Sequence, residues 1–278
     1  MNAPSADIFV MLVKGRDPQL WRPGGFTDQE LADALVRAAI AGPVASHDRA
    51  NVLWRIGRLV DGDPEERFGM SGLGNYSVGE ILGLIAQETG FDSDPTLHTG
   101  GVSIEPSRLL HALKEAGLRF ADAAKRGERV LLATGHPATL LPFYAAVAEL
   151  LRESGAKLLT PMEGARASDL MHIGEIQYVD EVGVFSTMGG PIHTHGPQPM
   201  ERMLEEAEPD LVFADHGFAG AAIQAGVETI AIADVNDPAP IVARAQGRTN
   251  LVIVMDDGRR RKDYWPAYQA IAAAFGSS

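Results

Sequence analysis

The sequence predicts an α/β protein of three layers, a mainly parallel sheet covered by helices on both faces, preceded by a helical N-terminal segment. Three observations predict it. Beyond residue 125, short fully apolar runs alternate with helical segments, the pattern of strands buried on both faces. Before that point, apolar residues recur at the spacing of amphipathic helices. Finally, four of the apolar runs stop at a polar or charged group followed by a turn, as strands do where an open α/β sheet binds ligands.

The first helix spans Asp28 to Ile40, with Leu31, Leu35 and Ala38 or Ala39 on its apolar face and Gly42-Pro43 ending it. A second runs from Arg49 to Leu59. A third runs from Ser77 to Thr89, opened by a Ser77 cap with Glu80 three positions on. Between them Asp61 to Tyr76, rich in glycine and charge, reads as a mobile loop. Ser107 to Ala124 is the fourth helix. Strands are expected at Arg129–Thr134, Lys157–Thr160, Ile176–Phe185, Leu211–Ala214, Thr229–Ala233 and Leu251–Met255, with helices at Ala138–Glu153, Gln198–Glu206 and Phe218–Gln224. Residues 1–125 then form a mainly helical cap and residues 126–278 the α/β catalytic domain, with no internal repeat or low-complexity segment.

At 278 residues the chain can bury a large core in one or two domains, and 45% hydrophobic with 22% charged residues is ordinary globular composition. Disorder is expected only in the first few residues and over Gly276 to Ser278. The absence of cysteine excludes disulfides, zinc–thiolate sites, iron–sulfur clusters and thiol nucleophiles. Met1 to Asp7 lacks the basic and apolar regions of a secretory signal, and the apolar stretch from Val130 to Leu151 is broken by His136, two prolines and Glu149. A cytoplasmic enzyme is therefore expected. A net charge of −13 disfavours nucleic acid and anionic membranes as partners. It also repels a phosphorylated ligand unless arginine, helix N-termini or a cation compensate locally.

The four strand ends are Thr134-Gly135-His136-Pro137, Asp215-His216-Gly217, Asp234-Val235-Asn236-Asp237-Pro238 and Asp256-Asp257-Gly258. A strand-end aspartate can simply cap the next helix, and for Asp237-Pro238 that reading is the better one. It explains at most one acid each at Asp215-His216 and Asp256-Asp257. In Pro191-Ile192-His193-Thr194-His195-Gly196-Pro197 an extended backbone turns both imidazoles to one side, where they can meet a metal or a phosphate. The helix starts after Thr134-Gly135-His136 and at Gly217 offer backbone N–H groups to an anion, or else are plain close packing. Neither matches a nucleotide fingerprint, so ATP and NAD are disfavoured. The stretch Ser46 to Asn51 can reach the crevice with Arg49. Arg259 to Lys262 is a solvated basic run or a phosphate-attracting rim, and His98, His111 and His172 lack supporting context.

Together these motifs, from about Arg49 to the C-terminal region, resemble a family of actinobacterial proteins named as phosphatases. Family members carry Arg-Glu-Asn where this chain has Arg49-Ala50-Asn51, and often Asp-Asp-Asn where it has Asp256-Asp257-Gly258. If either replaced side chain is a ligand, substrate or activity differs here.

The resemblance implies hydrolysis of a small phosphate monoester, and the residues can be read accordingly. A divalent cation, magnesium or manganese ahead of zinc, is expected on carboxylates drawn from Asp215, Asp234, Asp237, Asp256 and Asp257. Arg49, Asn51, Thr134, Gly135, His136 and Gly217 are the expected phosphate contacts. His193, His195 and His216, with Asp215, are the expected catalytic groups, orienting water or protonating the leaving alkoxide. Thiol chemistry is impossible. Asp234-Val235-Asn236 places asparagine where a phosphoaspartyl enzyme needs its second acid, and no Arg-His-Gly motif is present. A metal-activated water remains. The alternatives are a metal-dependent hydrolase or lyase on another substrate, and a non-catalytic binder of a phosphorylated metabolite. A homo-oligomer stays open.

Overall fold

The computed structural model describes residues 21–276. The expectations for the first residues and for the last two lie outside this range. Helix α1 (Asp28–Arg37) opens on a Thr27–Glu30 capping box. Strand β1 (Gly42–Asp48) leads directly into α2 (Arg49–Asp61), whose first turn is capped by the Asp48 carboxylate and whose end is closed by left-handed Gly62. Helix α3 (Val78–Thr89) carries the expected Ser77–Glu80 capping box. Strand β2 (Gly101–Ile104) and the long helix α4 (Pro106–Arg126) complete the first part. The sequence suggested a mainly helical segment here, with no strand named. The structure adds an antiparallel ribbon, β1 with β2, whose second strand is only four residues long, Gly101–Ile104.

From β3 (Arg129–Ala133) the chain continues through α5 (Pro137–Glu153), β4 (Lys157–Leu158), β5 (Arg166–Ser168), β6 (Ile173–Val179), β7 (Val182–Thr187) and β8 (Gly190–Pro191). Then follow α6 (Gln198–Glu206), β9 (Leu211–Asp215), α7 (His216–Gln224), β10 (Thr229–Ala233), α8 (Pro238–Ala245), β11 (Leu251–Val254), a 3-10 turn (Arg261–Tyr264) and α9 (Trp265–Phe275). The sheet runs β11-β10-β9-β3-β7-β6-β5, with β4 beside β3 and β8 beside β7. It is parallel from β11 through β7 and antiparallel beyond. The run expected as one strand, Ile176–Phe185, is a hairpin. Asp180 and Glu181 both take left-handed backbone (φ 48° and 65°), forming the two-residue turn that matches strand twist.

One hydrophobic cluster draws on the helices of the N-terminal segment (Leu31, Ile56, Leu82, Phe120), the sheet (Leu132, Phe213, Ile232, Ile253) and α9 (Ile271). Helix α4 crosses α9 so closely that a methyl on Gly117 would stand 2.4 Å from the Ile271 carbonyl oxygen. Among the described residues no helix is long and apolar enough to cross a membrane.

Candidate active site

Four parallel strands deliver the site. Their registers, Ala133 beside Ala214, Asp215 beside Ile232 and Ala233 beside Val254, bring their C-terminal ends level. Thr134, Asp215, Asp234, Asp237, Asp256 and Asp257 therefore leave the sheet at one edge, and all are buried. Buried carboxylates without partners are rare, so the donors facing each one tell what it is for.

Asp215 is enclosed by protein donors. Thr134 Oγ1 donates to its Oδ2 at 2.6 Å, while the Gly135 N–H and His216 Nδ1 donate to its Oδ1 at 2.7 and 2.9 Å. Burial pushes its carboxyl up, but the bond from His216 and its charge outweigh this and hold it below the usual carboxylate range. Asp215 is thus an anchor for His216, with both oxygens engaged by protein donors. His216 itself opens α7 in left-handed backbone (φ 45°), a conformation an L side chain adopts only when its surroundings impose it. Asp256 is similarly committed: the Ala45 and Ser46 N–H groups donate to Oδ2 and Gly258 N–H to Oδ1. It clasps β1 to the end of β11. Asp234 accepts from Ser46 Oγ and from the Val235 and Asp257 N–H groups, and faces His47 Nε2 at 3.3 Å.

Asp237 and Asp257 differ. Asp237 precedes α8 but makes no side-chain cap, contrary to the capping expected from Asp237-Pro238. Its Oδ2 accepts from the Asp234 N–H and lies 3.5 Å from His216 Nε2. Asp257 Oδ2 lies 3.5 Å from His216 Nε2 and 3.4 Å from His136 Nδ1, with no hydrogen-bond partner. Burial raises both carboxyls, and the neighbouring Asp234 charge raises them further.

Four imidazoles close the cluster. Ring centroids are 5.0 Å apart for His193 and His195, 4.8 Å for His195 and His216, 5.0 Å for His193 and His216, and 4.5 Å for His136 and His193. The ligand nitrogens of His193, His195 and His216 converge within 4.8 Å, and so do those of His216, Asp237 and Asp257, so either group could hold a metal ion. Burial drives the His195 imidazole far below its usual range. His216 is lowered by burial, but Asp237 and the bond to Asp215 overcome this and raise it to about 9. His195 Nδ1 is buried without a hydrogen-bond partner. The His193–His195 loop is set by two close approaches. Thr194 N–H donates to Gly135 O at 2.9 Å, and a methyl on Gly217 would stand 2.3 Å from the His195 carbonyl oxygen. Gly217 thus serves packing.

The remaining expected phosphate contacts are differently placed. Arg49 is buried, and its guanidinium donates to the carbonyls of Leu97, Asp92 and Asp94, holding the loop before β2 instead of facing the acids. The Gly135 N–H goes to Asp215 and the His136 N–H to Thr134 Oγ1 at 3.0 Å, so that helix start does not present them to an anion. His136 contributes its ring. Asn51 does reach the site, accepting from Asn236 Nδ2 at 2.9 Å. Residues 61–76, read as a mobile loop, supply Phe68, whose ring packs edge-on to His195 and His216 at 5.0 and 5.4 Å, and Glu65, 3.8 Å from His195 Nδ1.

The sequence placed His47 only within a stretch that can reach the crevice, and it passed over Phe68, Arg55 and Glu66. The available signal for Arg55 was its spacing of four from Asn51 on α2; for the others there was none beyond proximity in the chain. Beside the cluster a cleft of about 540 Å³, lined by Val44 to Asp48, Asn51, Gly100 and Gly101, opens to solvent.

Comparison with known proteins completes the picture. Residues 26–276 match a family described as Phosphatase. The chain is 37% identical over 243 residues to a phosphatase of Streptomyces coelicolor, covering 84% of this chain and 90% of that protein. No solved structure matches.

Proposed function

The chain belongs to the Phosphatase family, and from that premise we propose that it is a metal-dependent phosphatase hydrolysing a small phosphate monoester with an activated water. One observation carries the proposal: three imidazoles and two carboxylates converge at the sheet edge, while Asp215, Asp234 and Asp256 beside them are engaged by protein donors. The residues fit a divalent cation, since His195 Nδ1 and Asp257 Oδ2 are buried without hydrogen-bond partners. His216 would hold it, either with His193 and His195 or with Asp237 and Asp257. Three nitrogen donors move the expectation from magnesium towards manganese or zinc.

The cation, when bound, supplies charge neutralisation for phosphate oxygens and lowers the pKa of water. The chain's own residues do the rest. Asp215 fixes the His216 tautomer with the proton on Nδ1, leaving Nε2 as the lone-pair nitrogen. Phe68 covers the His195 and His216 rings and excludes bulk water from that side. His47, paired with Asp234, and His136, beside Asp257, are half-buried imidazoles outside the ligand set. Either can hold the proton that the leaving alkoxide takes. The cleft along β1 receives the leaving group, and the N-terminal segment acts as a cap.

The test is phosphate release from p-nitrophenyl phosphate and a panel of sugar and nucleotide monophosphates. Metal-stripped protein is resupplied with manganese, zinc or magnesium. Turnover that EDTA abolishes and one of these metals restores is expected. No release from any ester with any of the three overturns the proposal.

A further inference from the structure

A phosphatase of net charge −13 needs fixed positive charge where the phosphate dianion sits, and its expected source, Arg49, is committed to three carbonyl groups. Helix α2 offers another. Asn51, Arg55 and Arg58 follow at spacings of four and three and share one face. Asn51 is tied to Asn236, between Asp234 and Asp237, so that face looks onto the metal-ligating cluster. Arg55 stands one turn further along it. Its charge acts on His193, His195 and Asp237.

The guanidinium is held from behind. Arg55 Nη1 donates to Oε1 of the fully buried Glu66 at 2.6 Å, and Arg58 Nη1 meets the same oxygen at 2.9 Å. Arg58 is further engaged by Asp63 and Glu65, whereas Glu66 is the carboxylate paired with Arg55. Arg55 Nε is buried with no hydrogen-bond partner. Glu66 belongs to the segment whose Glu65 and Phe68 reach His195, so its anchor and the cluster are parts of one assembly.

We propose that Arg55, seated by Glu66, is the side chain that binds the phosphate of the substrate, with Asn51 beside it; the inference rests on the phosphatase reading. An arginine positioned by a buried carboxylate keeps a planar fork of donors for phosphate oxygens without reorganising when the ligand arrives.

The experiment measures inorganic phosphate binding to metal-loaded protein by calorimetry and by product inhibition. Arg55→Met is expected to weaken phosphate binding and raise KM about tenfold to hundredfold, with metal content unchanged. Arg58 still pairs with Glu66 in this variant. The double variant Arg55→Met with Glu66→Gln removes the buried carboxylate as well. If Arg55 only neutralises Glu66, the double variant regains wild-type phosphate affinity, and the inference is overturned. If Arg55 binds phosphate, the double variant stays defective. Wild-type protein that binds phosphate through Arg55 yet turns over no ester keeps the inference and removes the phosphatase reading. Turnover left intact by Arg55→Met, with unaltered KM and phosphate affinity, does the reverse. Wild-type protein that binds no phosphate overturns the inference.

Discussion

Asp215→Asn probes the centre of the site, because its cost follows from three hydrogen bonds. The amide oxygen can take the Oδ1 position and keep the donors from Gly135 and His216, at 2.7 and 2.9 Å in the wild type. The amide nitrogen then faces Thr134 Oγ1, which must turn its hydroxyl from donor to acceptor while still accepting from the His136 N–H. Geometry survives and charge is lost. Two charge-assisted bonds become neutral, a loss of about 1 to 1.5 kcal/mol each, so metal-free protein should lose roughly 2–3 kcal/mol of stability. At about 2–4 °C per kcal/mol for a chain of this size, Tm falls by about 5–10 °C. The neutral partner also orients His216 less firmly, and metal affinity should fall about tenfold. Thermal unfolding of stripped protein gives the first quantity and competition with a chromophoric chelator the second. A variant equal to wild type in both would refute the assignment of Asp215 as the anchor of His216.

Two further outcomes follow from the same geometry. The folded-state pKa of His216 is raised to about 9, above the ordinary value near 6.5, so its stabilisation is fully present below that value and is lost as pH rises through 9. Denaturant titrations of metal-free protein from pH 6 to 10 should show this decline, and His216→Asn should flatten it; an unchanged slope in the variant contradicts the reasoning. Gly217→Ala would place a methyl 2.3 Å from the His195 carbonyl oxygen and 2.4 Å from that of Gly196. Overpacking of this kind costs about 1–3 kcal/mol and should displace the His193–His195 loop, seen as lowered metal affinity in the chelator assay. Wild-type affinity in that variant would mean that the loop does not hold the metal.

Much of this site was legible in the sequence because the physics is local. An apolar run that ends in Asp215, Asp234 or Asp256 between helical segments has the pattern of a strand reaching the sheet edge, and the alternation in His193-Thr194-His195 aims two rings together. What each acid does was not legible. Asp237 has the sequence context of a helix cap, yet its carboxylate turns inward because the Asp234 N–H and His216 compete for it. Asp215 and Asp256 look like ligands in the sequence, but their donors come from Thr134 and Gly135, and from Ala45 and Ser46, far along the chain. Arg49 was misassigned for the same reason, since its carbonyl partners belong to a loop more than forty residues away. Arg55 sits in an amphipathic helix where charge normally means solvent. The hairpin at Asp180-Glu181 lacked the glycine or asparagine that ordinarily advertises such a turn.

The clasp made by Asp256 on the amides of Ala45 and Ser46 ties the first strand among the described residues to those that follow the last. During synthesis β1 therefore emerges more than two hundred residues before the carboxylate that fastens it, and Asp257 arrives with that carboxylate. A nascent chain halted short of this point has its histidines but neither the fastening nor Asp257. A chain cut before residue 256 would therefore lack the clasp on β1 and the Asp257 carboxylate together.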